Sequence, residues 1–374
     1  MRTDVVVLAG GRGERFWPLS RQSRPKQVLR LLADRSLLRA AIERALHGVP
    51  VDQVWAIAPR DLADVLRREA GAVAEHRWIW ETEGKNTGPA VAAAVAEILA
   101  DLARSGETDR RVLILPADHW IPDEAEFWRA VHVGETVADD TGRIVTFGIP
   151  VTRPETGYGY VERGEPIEGR DVDSFVVRRF HEKPDREAAE AYRAAGTFYW
   201  NAGIFLFSAR TMAEELQRHA REFAEPFARL VQELASADTG EHESATSVPR
   251  TEAARARFFA ACDSVPIDRA VMERSDRVAV VAAPFEWDDL GNWASWASLG
   301  SDDGSGNRTH GEVLANDAAG NVVYSEEGGV VALIGVRDLV VVRTNDATLV
   351  CPRDRVQEIR ELVRLGRASG SPRF

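Results

Sequence analysis

The sequence predicts an α/β protein built on a mostly parallel sheet of the Rossmann-like kind, with helices on both faces. Short apolar runs alternate with longer helical segments through the first half of the chain, which is the pattern of repeated strand–helix units. The chain has 374 residues and a hydrophobic content of 44%. This length can bury a large core and predicts one large domain with a smaller companion.

The elements of the large domain are predicted in chain order. Strands are expected where apolar runs are short, and helices where the segments between them are longer. The predicted strands are 5–8, 54–58, 77–80, 112–115 and 144–147, and the predicted helices are 37–46, 62–70, 89–102 and 124–137. The polar tract 236–248 is predicted to be a loop.

The C-terminal part is predicted to be a separate, small β-rich domain. A polar stretch at 301–310 is predicted to link a domain at 1–300 to one at 311–374. Short strands with glycine turns are expected at 322–324, 330–334 and 339–342, followed by a helix at 355–365.

A glycine-rich turn follows the first predicted strand and contains Gly10, Gly11 and Gly13. Glycine lets backbone NH groups approach phosphates closely. The turn lacks the Gly-Lys-Ser/Thr of a P-loop and the third glycine of the dinucleotide fingerprint. Cations follow within a few residues: Arg12, Arg15, Arg21, Arg24 and Lys26. The combination favours a polyanion site over an ordinary strand-to-helix turn, at the carboxyl end of a strand where such sheets bind ligands.

Lysine is almost absent from the chain. Of 47 basic residues only Lys26, Lys85 and Lys183 are lysines, which leaves 44 arginines. Each lysine lies in a compact polar motif. Lysine carries a compact point charge, whereas the arginine guanidinium is a planar fork. These three lysines should therefore persist where a guanidinium cannot replace them, such as in contact with phosphate oxygens in a crowded site. The alternative is codon bias that left three lysines on the surface.

Charge and cysteine content exclude several classes of protein. The net charge of −12 argues against nucleic acid or anionic membrane as a partner. Only Cys262 and Cys351 are present, far apart, which suits a reducing cytoplasm. The first apolar run is too short for a signal peptide, and the apolar stretch 91–103 is interrupted by Glu97 and Asp101. A cytoplasmic protein is therefore expected.

Together the motifs resemble the sugar-nucleotide pyrophosphorylase family. The form with Ser20-Arg21 and Pro25-Lys26-Gln27 is similar to the mannose-1-phosphate guanylyltransferases of that family, and the resemblance covers nearly the whole chain. The other segments that carry it are 81–90, Pro116-Ala117-Asp118-His119, Thr156-Gly157-Tyr158-Gly159-Tyr160, Glu182-Lys183-Pro184, Trp200-Asn201-Ala202-Gly203, Pro266-Ile267-Asp268 and Trp287-Asp288-Asp289-Leu290-Gly291.

The resemblance implies that the chain converts GTP and α-D-mannose 1-phosphate to GDP-mannose and diphosphate. The sugar phosphate would attack the α-phosphorus in line, with positioning and electrostatics in place of a side-chain nucleophile. The resemblance also implies a C-terminal domain of the left-handed β-helix type and a homodimer. Larger relatives carry an added isomerase domain, so a chain of this length is expected to be monofunctional.

A magnesium ion is implied between the two anionic substrates. Mg²⁺ takes oxygen ligands, commonly one or two carboxylates together with substrate oxygens. Asp118, just past an apolar strand, is the first expected ligand, and Asp289 aligns with the family's second metal position, with Asp288 as its variable neighbour. The alternatives are a helix or turn cap at Asp118 and a solvated acidic turn at 288–289.

The resemblance implies the remaining site residues in three groups. Arg15 and Lys26, with Asp118, are the expected catalytic residues, because the two cations would neutralise the triphosphate and the leaving pyrophosphate. The residues expected at the nucleotide are Gly10, Gly11, Gly13, Lys85, Asn86 and Thr87. The residues expected at the sugar phosphate are Gly157, Glu182, Lys183, Asn201 and Gly203. For an isolated glutamate, asparagine or glycine a cap or turn would be the better interpretation.

Two other functions remain open at this point. A related enzyme would use another hexose 1-phosphate or another base. A non-catalytic regulatory protein that binds GDP-mannose would be expected to have lost a metal ligand or a triphosphate cation. Arg15, Lys26, Asp118 and Asp289 are all present, which favours an enzyme.

Overall fold

The computed structural model describes residues 1–236, 250–371 and 373–374, and these residues form two compact units. The first unit consists of Met1–Gly10, Ala41–Ala117 and Ile121–Trp287, and the second of Gly11–Ala40, Asp118–Trp120 and Asp288–Phe374. The expected division into domains at 1–300 and 311–374 stays a prediction. The α/β class is confirmed.

The first unit contains a nine-stranded mixed sheet with the order β3-β2-β1-β4-β8-β5-β9-β7-β6. The pairs β3–β2, β2–β1, β1–β4 and β5–β9 are parallel, and β8 runs antiparallel to β4, β5 and β6. All five strands expected from the sequence are present. The strands are β1 Thr3–Leu8, β2 Val54–Pro59, β3 Trp78–Glu81, β4 Arg111–Pro116, β5 Ile144–Pro150, β6 Gly159–Pro166, β7 Ser174–Glu182, β8 Phe198–Ser208 and β9 Val278–Ala282.

The helices begin and end at residues that suit helix termini. Asp123 accepts a hydrogen bond from the Glu126 amide at the start of α4, and Gly142 ends that helix in the left-handed conformation. The helices are α1 Leu37–Gly48, α2 Ala63–Ala70, α3 Thr87–Ser105, α4 Glu124–Thr141, α5 Arg186–Ala195, α6 Ala209–His219, α7 Ala224–Ser236 and α8 Arg250–Ala261. The predicted loop 236–248 lies outside the described residues except for Ser236, which ends α7.

The core of the first unit surrounds α3. Its central alanines and valines, 91–96, are fully buried in one cluster with strand residues such as Val6 and Ile114 and with Phe227 of α7. Small side chains let the helix approach its neighbours closely. In the part of the chain that the structure describes, no helix is both long enough and apolar enough to cross a bilayer.

The second unit ends in stacked β coils. Strands β10, β12 and β14 pair in parallel on one side of the coils, β11 pairs in parallel with β13 on another, and β15 returns antiparallel to β14. This is the expected β-helix architecture. The elements are α9 Trp293–Ser298, β10 Arg308–His310, β11 Glu312–Asn316, β12 Val322–Ser325, β13 Val330–Ile334, β14 Leu339–Arg343, β15 Thr348–Pro352 and α10 Ile359–Ala368.

Two details of the second unit differ from the sequence expectation. Arg308–His310, expected within a linker, is a strand because it pairs with β12. The helix expected at 355–365 begins as a 3₁₀ turn, Arg353–Glu358, and becomes α-helical only from Ile359. Both differences arise from pairing and packing between segments distant in sequence, which local composition does not encode.

Aromatic packing holds the glycine-rich segment within the second unit. The Phe16 ring meets the Trp293 ring edge-on at 5.0 Å between centroids, and Trp17 stacks on Phe374 at 4.6 Å. The indole N–H of Trp293 donates to the Trp17 carbonyl at 3.2 Å. These contacts hold the segment that follows Gly13 against the segment that follows Asp289.

Candidate active site

The two parallel strands β1 and β4 end side by side in the first unit. The Ala117 amide, just past β4, donates to the carbonyl of Leu8 at the end of β1, at 2.9 Å. The glycine-rich turn therefore leaves the sheet at the same edge as the segment that leads to Asp118. This confirms that both motifs follow the carboxyl ends of neighbouring strands, where α/β sheets place their ligand sites.

Gly13 allows Lys26 to lie directly against the turn in the second unit. Its φ of +65° is a left-handed conformation, and a Cβ at this position would lie 2.1 Å from the Lys26 Cβ. The Ser20 hydroxyl donates to the Gly13 carbonyl at 2.7 Å. A Cβ at Gly11 would lie 3.9 Å from Asp118 Oδ2. The structure thus brings Gly11, Gly13, Lys26 and Asp118 together.

Lys26 connects the two segments that carry the predicted metal ligands. Its side chain is only 6% exposed. The ammonium donates to Asp118 Oδ2 at 2.8 Å and to the Asp289 carbonyl at 2.6 Å. A buried charge is tolerated when it is paired and hydrogen-bonded in this way. Lys26 is therefore a buried point charge, not a surface remnant of codon bias.

Asp118 and Asp289 have their pKa values moved in opposite directions. Burial raises the pKa of Asp118, but the charges of Lys26 and His119 more than offset it and hold this pKa below its usual value. Burial also raises the pKa of Asp289, where Lys26 and His119 oppose the rise and Asp288 and Asp118 add to it. The charges of Asp118 and Asp288 therefore disfavour the ionised form of Asp289, and a cation beside Asp289 would oppose that effect.

Asp288 and Asp289 are adjacent in sequence but differ in their contacts. Asp288 is buried, and its Oδ1 accepts a hydrogen bond from the Leu290 amide at 2.7 Å. Its own amide and carbonyl pair with Trp120 at 3.1 and 2.9 Å. The Asp289 carboxylate lies over Gly291, where a Cβ would be 3.0 Å from Oδ1. Asp288 stabilises the turn that carries Asp289.

Arg15, on which the charge of Asp289 acts, has an unsatisfied donor. It lies in the 3₁₀ turn Glu14–Phe16, is half-buried, and its Nε is buried without a hydrogen-bond partner. Burial and the nearby charge of Arg360 lower the pKa of Arg15, against the attraction of Asp289 and Glu14. A buried unpaired donor is costly, so a ligand oxygen at this atom would stabilise the arrangement.

The carboxylate pair fits a hard divalent cation that the substrate helps to hold. No group of three or more histidine, cysteine or acidic residues that could hold a metal occurs in residues 1–236, 250–371 and 373–374. Mg²⁺ is commonly held by one or two carboxylates together with substrate phosphates. Asp118 and Asp289 supply such a pair, and the donor set leaves coordination positions for phosphate oxygens.

Glu81, in the first unit, is a site candidate that the sequence analysis did not single out. It ends β3 and is 5% exposed, and a Cβ at Gly10 would lie 3.4 Å from its Oε2. Burial raises the pKa of Glu81 to about 7. The available signal was an acidic residue at the end of the apolar run that forms a strand. Gly10 and Glu81 thus meet where β1 and β3 end.

The side chains of the Lys85-Asn86-Thr87 motif make contacts within the first unit. Lys85 Nζ lies 3.1 Å from Glu83 Oε2. Asn86 has a φ of +70°, and its Oδ1 accepts from the Thr87 amide at 2.9 Å as the N-cap of α3. The Thr87 hydroxyl accepts from the Ile267 amide at 2.9 Å. The motif therefore shapes the N-terminus of α3, an end that attracts anions.

Asn201 and Gly203 are brought together by an irregularity in the sheet. The pairing of β5 with β8 shifts between Thr146 and Gly148. The Asn201 Oδ1 accepts from the Thr146 hydroxyl at 3.0 Å and from the Gly203 amide at 3.1 Å. Its Nδ2 donates to Asp268 Oδ1 at 2.7 Å. Bulges of this kind re-aim side chains and are common beside active sites.

Glu182 and Lys183 lie at the end of β7, close to Asn201. A Cβ at Gly159 would lie 2.9 Å from Glu182 Oε2 and 3.6 Å from the Asn201 Cβ. The Lys183 amide donates to the Tyr158 carbonyl at 3.2 Å, and its Nζ forms an ion pair with Glu182 Oε1. Gly159, which the sequence analysis did not choose, is therefore the glycine beside Glu182.

Gly157 has a different environment from the other residues expected at the sugar phosphate. It is exposed, and its amide donates to Glu155 Oε1 at 3.1 Å. This contact shapes the loop before β6. The close approach to Glu182 is made two residues further on, at Gly159.

The chain matches known protein families over most of its length. Residues 4–305 match the family described as Nucleotidyl transferase, and residues 311–365 match the MannoseP isomerase/GMP-like beta-helix domain. The "Mannose-1-phosphate guanylyltransferase" of Escherichia coli strain K12 is 38% identical over 98% of this chain and 73% of its own length. The "Alginate biosynthesis protein AlgA" of Pseudomonas aeruginosa is 36% identical over 96% of this chain and 71% of its own length.

Solved structures show the same likeness. A crystal structure from Thermus thermophilus, described as "mannose-1-phosphate geranyltransferase", superposes with a TM-score of 0.82 at 35% identity, covering 98% of this chain and 99% of the other. A structure described as "mannose-6-phosphate isomerase" from Helicobacter pylori has a TM-score of 0.56 at 22% identity, covering 77% of this chain and all of the other, and shows the fold alone.

Proposed function

Because this chain belongs to the nucleotidyl transferase family, we propose that it is a mannose-1-phosphate guanylyltransferase, which converts GTP and α-D-mannose 1-phosphate to GDP-mannose and diphosphate. The observation that carries the chemistry is the buried Lys26 ammonium, hydrogen-bonded to Asp118 and to the Asp289 carbonyl. A guanylyltransferase relative that is 38% identical supports the choice of substrates.

In the proposed reaction an oxygen of the sugar phosphate attacks the α-phosphorus of GTP. The bond between the α-phosphorus and its bridging oxygen to the β-phosphorus breaks, and diphosphate leaves with the electron pair. Arg15 and Lys26 stabilise the charge that develops on diphosphate, since their positive groups are already fixed before the reaction. The unpaired Nε of Arg15 supports this role. The backbone at Gly10, Gly11 and Gly13 is proposed to approach the triphosphate.

A magnesium ion is proposed at Asp118 and Asp289. When bound, it would supply positive charge shared between the α-phosphate and the attacking sugar phosphate. The choice of Asp289 over Asp288 is supported by the Asp288 carboxylate, which is buried and bonded to the Leu290 amide. Lys26 keeps Asp118 ionised, because its charge lowers the pKa of that carboxyl.

The guanine base is proposed to bind at Glu81. A carboxylate offers two acceptors side by side, which match the N1–H and the 2-amino group of guanine and do not match the corresponding edges of adenine or uracil. Glu81 is buried at the end of β3, so that the discrimination would take place away from water. Lys85, Asn86 and Thr87, at the N-terminus of α3, are proposed to bind elsewhere on the nucleotide.

Replacing Glu81 by Gln should lower kcat/KM for GTP by roughly 10- to 100-fold, because one acceptor becomes a donor facing guanine. In the wild type, the KM for GTP should rise as the pH falls below about 7, because burial raises the pKa of Glu81 to about 7 and protonation removes the acceptor pair. The measurement is steady-state kinetics with GTP varied from pH 5.5 to 8.5.

Glu75→Gln is the matched control for this prediction. Glu75 precedes β3, is exposed, and pairs with Arg67, so that its variant should keep the wild-type pH profile. The proposed role of Glu81 would be refuted by a Glu81→Gln enzyme with wild-type kcat/KM for GTP and an unchanged profile.

The sugar phosphate is proposed to bind at residues of β6, β7 and β8. Glu182 and Asn201 would bind sugar hydroxyls, helped by the backbone at Gly157 and Gly203, and Lys183 would bind the phosphate. The proximity of Glu182, Gly159 and Asn201 supports this grouping. Hexose hydroxyls require directional donors and acceptors of this kind.

The decisive experiment is a grid of nucleoside triphosphates against hexose 1-phosphates, read as pyrophosphate release. GTP with mannose 1-phosphate should give the highest kcat/KM. A clear preference for UTP or dTTP with glucose 1-phosphate would contradict the proposal in favour of a related transferase. GDP-mannose binding without turnover of any pair would indicate the regulatory protein instead.

The cellular setting of the enzyme is proposed from its charge and composition. The net charge of −12 supports the absence of nucleic acid and membrane partners. We propose a cytoplasmic homodimer in which residues 1–300 act as the catalytic domain and 311–374 as the small β domain. Size measurement in solution by light scattering would test the dimer.

A further inference from the structure

Asp268 is a titratable residue to which the proposed reaction assigns no role. It opens a short π-helical turn, Asp268–Met272, in the first unit. Such turns are rare and occur frequently at functional sites. Its Oδ1 accepts a hydrogen bond from Asn201 Nδ2 at 2.7 Å, across 67 residues of sequence. The contact ties this turn to the irregular part of β8.

The hydrogen bonds of Asn201 fix the orientation of its amide. Oδ1 accepts from the Gly203 amide at 3.1 Å and from the Thr146 hydroxyl at 3.0 Å. A backbone amide can only donate and a carboxylate can only accept. Oδ1 must therefore face Gly203, and Nδ2 must face Asp268. Of the two Nδ2 hydrogens, Asp268 takes one, and the residues that the structure describes supply no acceptor for the other.

The charge of Asp268 reinforces this arrangement. Burial raises its pKa to about 6, and the neighbouring Glu182 carboxylate contributes to the rise. Asp268 is therefore mainly ionised at pH 7 and above, where it can only accept. Glu182 in turn lies against Gly159, next to the Asn201 Cβ. Two carboxylates and one oriented amide thus lie in one place, a combination suited to a ligand rich in hydroxyl groups.

Resting on the proposed function, we infer that Asp268 is a positioning residue of the sugar subsite: it holds the Asn201 amide so that the second N–H donates to a hydroxyl of the hexose. Without the carboxylate, the amide loses the partner that immobilises its nitrogen. The Thr146 hydroxyl and the Gly203 amide would then hold only the oxygen. Substrate binding would have to order the amide, at a cost in affinity.

The test compares Asp268→Ala with Asp268→Asn. In the alanine variant the KM for mannose 1-phosphate should rise roughly 10- to 100-fold, the range for a hydrogen bond to a charged group, with the KM for GTP unchanged. The asparagine variant can still accept from Asn201 and should recover part of the loss. Glu273→Gln is the matched control, because it removes a charge near Asp268 from an exposed side chain.

A binding measurement separates positioning from a general structural role. By calorimetry, Asp268→Ala should weaken GDP-mannose by the same factor while leaving GDP affinity unchanged. Equal weakening of both ligands, or wild-type values for both, would overturn the inference. If the alanine variant does not fold, the test uses the ratio of GDP-mannose affinity to GDP affinity in Asp268→Asn. A ratio equal to that of the wild type overturns the inference as well.

Failure of the proposed function gives a different result. In that case the wild-type enzyme would prefer another nucleotide and sugar phosphate in the substrate grid. The same comparison would then use the sugar nucleotide and the nucleoside diphosphate of the preferred pair. A selective loss for the sugar nucleotide would support the role of Asp268, and an unselective result would refute it.

Discussion

Asp118→Asn and Asp289→Asn are each expected to lower kcat by roughly 10²-fold or more, the scale for loss of a preorganised transition-state contact. Each change removes one negative charge from the proposed magnesium site. Both variants should fold, because within the described part of the chain the Asp289 carboxylate accepts no hydrogen bond, and Asn at position 118 can still accept from Lys26. Turnover at saturating GTP and mannose 1-phosphate, measured over a range of Mg²⁺ concentrations, tests this.

Asp288→Asn is the matched comparison for the neighbouring carboxylate. The Asn oxygen can still accept from the Leu290 amide, and Asp288 is not a proposed metal ligand, so Asp288→Asn should keep near wild-type turnover and Mg²⁺ requirement. The assignment is wrong if Asp289→Asn keeps near-normal turnover while Asp288→Asn loses it. If none of the three variants changed the dependence of turnover on Mg²⁺ concentration, the proposed metal site would be refuted.

Lys26→Arg is expected to reduce kcat by about 10²-fold, although the chain uses arginine at almost every other basic position. Lys26 is buried and its ammonium reaches both Asp118 and the Asp289 carbonyl. The ammonium is held between Asp118 Oδ2 at 2.8 Å and the Asp289 carbonyl at 2.6 Å, so a wider, planar guanidinium could not place its charge at the same depth. The charge would be displaced from the leaving diphosphate, which affects the transition state more than binding.

Lys183→Arg should behave differently. Its side chain is 61% exposed, so a larger group fits, and the change should chiefly raise the KM for the sugar phosphate, a contact already made in the ground state. Steady-state kinetics with each substrate varied in turn distinguishes the two variants. Wild-type parameters in both would mean that the lysines have no special role.

The first half of the fold was predictable from the sequence because its strands are buried on both faces. Residues 5–7 and 112–115 are fully buried and therefore entirely apolar. The ends of these strands could therefore be predicted. Their positions in turn predicted where the glycine-rich turn and Asp118 lie. No strand was predicted between residues 150 and 236, which contain β6, β7 and β8; of these, β6 and β7 are partly exposed.

The contacts between distant segments were not predictable. Asp268 and Asn201 are 67 residues apart and meet where the pairing of β8 with β5 is irregular, a feature that leaves no local pattern in the sequence. Asp288 and Asp289 are chemically identical in sequence, and only the turn geometry directs one carboxylate to the Leu290 amide. Glu81 was included in a family segment, but its burial could not be inferred from the neighbouring residues alone.

Because lysine is scarce, the reactivity of each lysine in this protein can be measured separately. Apart from the N-terminus, its only amines are Lys26, Lys85 and Lys183, with side-chain exposures of 6%, 20% and 61%. An amine-selective reagent should therefore modify Lys183 first, then Lys85 and last Lys26. The 44 arginines would contribute no background. Each acylated peptide in a mass spectrum would contain one of these lysines. Protection of a lysine by a bound ligand could therefore be assigned to a single nitrogen, without any substitution in the chain.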